Sequence, residues 1–294
     1  MNWQEVLNEA HNLGSTKDIL RRRLIGEMAG YTKRNVITYY SGWLQKDGLP
    51  VDFGINDSDM NGFMACIHGL ERDKGLDLIL HTPGGSLAAV EAIIKYLCSM
   101  FEDIRAIVPQ LAMSAGTMLS LSCDSILMGK HSSLGPIDPQ VNGLPAHAIL
   151  EDWNKARADI ISNPNLFHVW EPILRKYTPA LICECTKSIA WAEEIVKDRL
   201  QSRMLSDAVV KEALADNIVK ELGSHELTKN HGRHIDINRL QALQVKVEPL
   251  EADNDLQDKV LSVHHASLLT LTSSNAFKII ENQKGCSYVM SAEV

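Results

Sequence analysis

This chain of 294 residues has no uninterrupted apolar run approaching the roughly 20 residues that a membrane span needs. It opens on MNWQEVLNEAHNLG, which is polar and amphipathic rather than a basic-then-apolar leader, so a cytoplasmic location without a membrane partner is expected. Positive charge is not in excess. The formal net charge is −8, which argues against a general nucleic-acid binder, because phosphate recognition needs a basic surface. No G-x-x-x-x-G-K-[ST] motif is present, so ATP-driven work would require a separate partner. No internal repeat or low-complexity stretch occurs.

The six cysteines lack the spacing of a metal or redox motif. Cys183 and Cys185 are two apart, which on a helix places them on different faces. All six read as structural thiols. The segment GSHELTKNHGRHI (223–235) holds His225, His231 and His234 but lacks carboxylate or cysteine partners at ligand spacing. It reads as a polar loop, and no metal or organic cofactor is expected.

What the chain does have is concentrated between His81 and Gln140. Two turns stand out there, Pro83-Gly84-Gly85 and Met113-Ser114-Ala115-Gly116. Each follows an apolar run of strand character, Leu76–Leu80 and Ile104–Val108, and each precedes a segment with helical spacing. After the first turn, Leu87, Val90, Ile94, Leu97 and Phe101 recur at steps of three or four. A third short strand follows at Ile126–Met128. This β-turn-α-β-turn-α-β order implies parallel strands with right-handed crossovers. Adjacent glycines allow close backbone approach, and a serine at a helix start meets unpaired N–H groups. Acyl transfer needs a nucleophile and oxyanion donors, and these turns supply candidates for both, though tight turns with a serine N-cap would look the same.

In combination, PGG, MSAGT and LGPIDPQ resemble the Clp-fold serine proteases, and most closely the serine dehydrogenase proteinase branch related to signal peptide peptidase A. The resemblance extends to RNVITYYSGWLQ (34–45) and AFKIIENQKG (276–285). It implies an α/β fold, with a Clp/crotonase-like core of parallel strands over residues 1–140. Residues 141–294 would form a helical extension and a C-terminal segment packing on that core. It also implies a serine peptidase acting on peptides or unfolded chains, with Ser114 as nucleophile. The oxyanion hole would use the N–H groups of Gly84 and Ala115, with Gly85 keeping the turn clear. In such folds a projecting helical element mediates subunit contact, so a homo-oligomer is expected through residues 145–222, with a second helical layer on the same core as the alternative. The name of the branch refers to a dehydrogenase, but nothing in the sequence suggests a nucleotide cofactor site.

The general base is the open point. A Clp-type triad would want a histidine near Leu134–Ile137, and none is there. His131 falls too early, and Asp138 makes no triad alone. Relatives of signal peptide peptidase A use a lysine some tens of residues after the serine, and Lys155 fits that separation. Its neighbours Glu151 and Asp152 would favour the charged ammonium, against such a role. Lys130 is a second candidate. Two further readings remain: an acyl-CoA enzyme of the crotonase kind, which shares the paired-amide oxyanion hole, and a catalytically silent oligomeric scaffold.

Overall fold

A computed structural model describes residues 2–12, 17–46, 48–224 and 228–292. Its centre is a seven-stranded sheet in the order β11-β10-β1-β2-β3-β5-β9. The parallel part comprises β1 (Asn35–Ser41), β2 (Leu76–His81), β3 (Ile104–Val108), β5 (Ser125–Met128) and β9 (Val247–Pro249). At one edge β10 (Ala276–Asn282) runs antiparallel to β1, and β11 (Ser287–Ser291) antiparallel to β10. Strands β9 to β11 therefore bring residues from beyond 140 into the central sheet. Short pairs are added by β4 (Leu111–Ala112) with β6 (Ser133–Leu134), and by β7 (Gln140–Val141) with β8 (Leu144–Pro145).

Alternation along the strands divides the core into two layers, because successive side chains point to opposite faces. Ile37, Tyr39, Leu78 and Leu80 face one layer, whereas Val36, Tyr40, Ile79 and Ile107 face the other. The first layer is covered by α3 (Asp59–Ile67), α4 (Leu87–Met100) and α5 (Ala115–Leu121). The second half of α8 (Pro179–Ser202) and α9 (Lys211–Gly223) complete that cover, and α10 (Ile237–Ala242) leads into β9. The second layer is covered by α1 (Trp3–Asn12), α2 (Lys17–Thr32) and α11 (Asn254–Ser273). Apart from these layers, α6 (Ala146–Ser162) and the start of α8 pack around Val141, Ile149 and Cys185, and α7 (Phe167–Leu174) lies against α6 to complete an arm. Among the described residues no helix is long and apolar enough to cross a membrane.

Several local expectations change. The basic run KDILRRR reads from sequence as a solvated face, yet Arg21 is wholly buried and donates to Glu281 and to Thr270 Oγ1. Glu281, itself buried, also accepts from Arg22 at 2.8 Å, so α2 is pinned to β10 by charge. Thr178 caps α8 as its Thr-Pro sequence suggests, accepting from Leu181 N–H at 3.2 Å. Ser206-Asp207 reads from sequence as the start of the next helix, yet that helix starts at Lys211. Of the cysteines, Cys183 is exposed, and the others are buried or half-buried.

The second layer holds an unusual group of rings. His81, at the end of β2, lies 4.4 Å from Trp43 and 5.3 Å from His264 by ring centroids. Neither ring nitrogen of His81 has a partner among the described residues, while His264 Nδ1 meets Tyr40 Oη at 3.2 Å. Burial lowers the His81 pKa to about 3, and burial followed by the neighbouring histidines takes His264 well below the ordinary value of 6.5. Both rings thus stay neutral in the folded chain while the unfolded chain protonates below pH 6.5. The stability they permit is complete above that pH and is lost progressively as pH falls towards 3. For His81 alone the loss at pH 5 is about 2 kcal/mol. The thermal midpoint should fall between pH 7.5 and 5, and His81→Leu should flatten that slope, as read by melting followed by circular dichroism.

Candidate active site

The two turns of the central unit are held side by side by backbone pairing. Thr82 N–H donates to Leu111 O at 3.0 Å, and Met113 N–H donates to Thr82 O at 3.0 Å. Beyond Thr82 the chain passes through Gly84 (φ 103°) and Gly85 (φ 154°) before Ser86 caps α4. These glycines are required twice over. Positive φ disfavours a side chain, and a Cβ at Gly84 would lie 2.6 Å from Ser114 Cβ, one at Gly85 2.2 Å from Ile55 N. The glycine turn therefore lies directly against the serine turn.

Ser114 sits between β4 and α5 with φ 50° and ψ −116°, a strained conformation for a residue with a side chain. A sharp strand-to-helix turn of this kind presents a serine hydroxyl at the end of a sheet. Ala115 begins α5, where first-turn N–H groups lack intrahelical partners. Among the described residues neither the Ala115 nor the Gly85 N–H has a hydrogen-bond acceptor. By contrast, the Gly84 N–H donates to Thr82 Oγ1 at 3.2 Å.

The turn after β6 is drawn against this unit from the far side. Thr117 Oγ1 donates to Ala112 O at 2.8 Å and accepts from Gly135 N–H at 2.9 Å, so α5 fixes the start of GPIDPQ. Ile137 N–H donates to Leu222 O at the end of α9. The following residue, Asp138, is wholly buried, and its Oδ1 meets His231 Nδ1 at 2.8 Å. A carboxylate only accepts, so Nδ1 is the donor, and in the neutral ring the lone pair is on Nε2. Asp138 Oδ2 has no partner among the described residues. His231 is one-fifth exposed and lines a cavity of about 250 Å³ together with Ser114, Ala115 and Gly85. Leu87, Met118, Ile137 and Ala192 give that cavity an apolar wall.

The residues expected from sequence divide accordingly. Ser114, Ala115 and Gly85 meet at one cavity, and Gly84 packs behind them against Ser114. Lys155 is exposed on α6 and is not part of the cavity wall. Lys130 is exposed as well, and the His131 ring bonds Pro109 O at 2.9 Å, away from Ser114. No histidine lies near Leu134–Ile137 in the sequence, but His231, from the loop after α9, lines the same cavity as Ser114. In the sequence His231 reads as one member of a polar loop and Asp138 has no evident partner, because the contact joins segments 93 residues apart. His234 lines a separate cleft, and His225 falls outside the described residues. Among the described residues no group of three or more His, Cys, Asp or Glu could hold a metal.

Comparison with known proteins identifies a family. A family model described as ClpP-like SDH-type serine proteinase matches residues 13–258. Two uncharacterised proteins of the archaeon Methanocaldococcus jannaschii are each 34% identical to this chain. The first aligns over 143 residues, 48% of this chain and 50% of that protein, and the second over 122 residues, 42% and 41%. The chain thus spans half or less of the length of these relatives. A mutant of ClpP1 from Listeria monocytogenes aligns over 78% of this chain and 97% of its own, with 10% identity and a TM-score of 0.41.

Proposed function

Because the chain belongs to the ClpP-like SDH-type serine proteinases, we propose that it is a peptidase working through Ser114, His231 and Asp138. The observation that carries this reading is the buried Asp138–His231 bond of 2.8 Å, ending in a ring on the wall of the Ser114 cavity. Ser114 Oγ attacks the scissile carbonyl while His231 Nε2 takes its proton, then returns it to the leaving amine. Water repeats the sequence to release the acyl group. Asp138 holds the ring in the required tautomer and stabilises the imidazolium as it forms. The Gly85 and Ala115 N–H groups receive the developing oxyanion at the start of α5. This moves one donor from Gly84, whose N–H is already engaged by Thr82 Oγ1. The apolar wall suits peptides or unfolded chains with an apolar side chain beside the cleaved bond.

A crotonase-type reaction needs the paired amides but no serine nucleophile with a His-Asp pair, so this arrangement favours the peptidase. Fluorophosphonate labelling with mass mapping tests it. The probe should modify Ser114, and His231→Ala should slow labelling by about a thousandfold. Lys155→Met should label at the parent rate. Unchanged labelling in His231→Ala, or its loss in Lys155→Met, would return the base to lysine. Binding of a CoA thioester without labelling would favour the crotonase-type reading.

We also infer that the chain assembles with copies of itself through the arm. Ile161 (74% exposed), Val169 (63%) and Phe167 (44%) stand on α6 and α7, and α7 has no buried residue. Ile161 also lines a cleft of about 230 Å³ together with Trp153, Ile160 and Leu174. Apolar surface of this kind marks an interaction site more often than a free face. Sedimentation should show an oligomer at micromolar concentration that Ile161→Glu/Val169→Glu dissociates, and a stable parent monomer would contradict it.

A further inference from the structure

We propose that Lys278 is a positioning residue for the oxyanion turn, acting through the carbonyl of Gly54 on the backbone of Gly85. The inference rests on the peptidase reading and names a part of its machinery that lies outside the cavity. Residues 53–56 run beside the glycine turn. Ile55 N–H donates to Gly84 O at 2.7 Å, and Ser86 N–H donates to Ile55 O at 2.8 Å, a parallel bridge between Ile55 and Gly85. In such a bridge the central residue of the bonded triplet turns its own N–H the other way. Gly85 N–H is thereby turned away from Ile55, in a residue that lines the cavity. The direction of that donor depends on where Ile55 is held.

Residues 53–56 belong to no regular ladder, so side chains must fix them. Ser41 Oγ donates to Phe53 O at 2.7 Å, and Lys278 Nζ donates to Gly54 O at 2.6 Å. Asn56 N–H donates to Asp59 Oδ2 at 3.0 Å. Lys278 and Asp59 are essentially unexposed and form an ion pair at 3.0 Å, with Tyr39 Oη also donating to Asp59 at 2.8 Å. A buried ion pair is poor evidence for stability, since apolar residues of similar volume often hold an interface as well. What apolar residues cannot do is hold the Gly54 carbonyl. Lys278 lies in AFKIIENQKG and Tyr39 in RNVITYYSGWLQ, so both segments singled out by resemblance converge on this tether.

Two variants separate positioning from bulk stability. Lys278→Met leaves the Asp59 carboxylate buried without its cation, and should melt well below the parent. Lys278→Met/Asp59→Asn removes both charges, keeps an acceptor for Asn56 N–H and Tyr39, and should regain most of the lost thermal midpoint. The double variant should still label with fluorophosphonate about a hundredfold more slowly than the parent, the effect of displacing one oxyanion donor. Its Ile55 and Ser86 amides should exchange faster while amides in β3 keep parent protection. A double variant that regains stability together with parent labelling and parent Ser86 exchange would overturn the proposal. If the parent itself fails to label, the peptidase reading falls, and the exchange of Ile55 and Ser86 alone decides whether Lys278 holds the turn.

Discussion

Everything functional in this chain depends on two backbone turns lying in contact. The Thr82 pairing draws the ends of β2 and β4 together, and the Gly84 backbone then approaches Ser114 so closely that no side chain fits between them. That approach fixes three things at once. It brings Gly85 and Ser114 to the wall of one cavity, sets the first turn of α5 at that wall, and leaves the serine in a conformation that only surrounding structure can maintain. The strain at Ser114 is sustained because the neighbouring strands are buried on both faces and cannot relax independently.

The second half of the site comes from a different part of the chain and is held by different physics. Asp138 is removed from water and relies on the His231 ring, while its second oxygen is unpaired among the described residues. The 2.8 Å bond between them fixes the orientation of the ring on the cavity wall. The loop bearing His231 follows α9, whose last turn bonds Ile137 and so is registered to the same segment that carries Asp138.

Local pattern in the sequence made the first half legible. The strand runs, the 3–4 spacing of α4, the glycine pair and the Thr-Pro cap each state their structure within a few residues, and β2, β3 and α4 fall where that pattern puts them. The second half was not legible because it depends on a contact between Asp138 and His231 across most of the helical extension. Nothing in GSHELTKNHGRHI distinguishes His231 from His234 until the chain is folded. The serine–lysine separation implied by the resemblance to signal peptide peptidase A points instead to Lys155, which faces solvent. Charge was misleading elsewhere too: KDILRRR has the composition of an exposed face, yet Arg21 is buried because Glu281 waits for it on β10. Residues such as Lys278 and Glu281 are unremarkable in sequence and acquire meaning only as the buried partners of distant charges.

The central claim is that one cavity combines the Ser114 nucleophile, the Gly85 and Ala115 donors, and the Asp138-oriented His231. A crystal structure with a peptide boronate tests it most directly, since boron adopts the tetrahedral geometry of the intermediate. The account predicts a bond from Ser114 Oγ to boron, one boronate oxygen between the Gly85 and Ala115 N–H groups, and His231 Nε2 within hydrogen-bond distance of another. A boronate bound with its oxygen on other donors, or with His231 turned away and a lysine in its place, would contradict it.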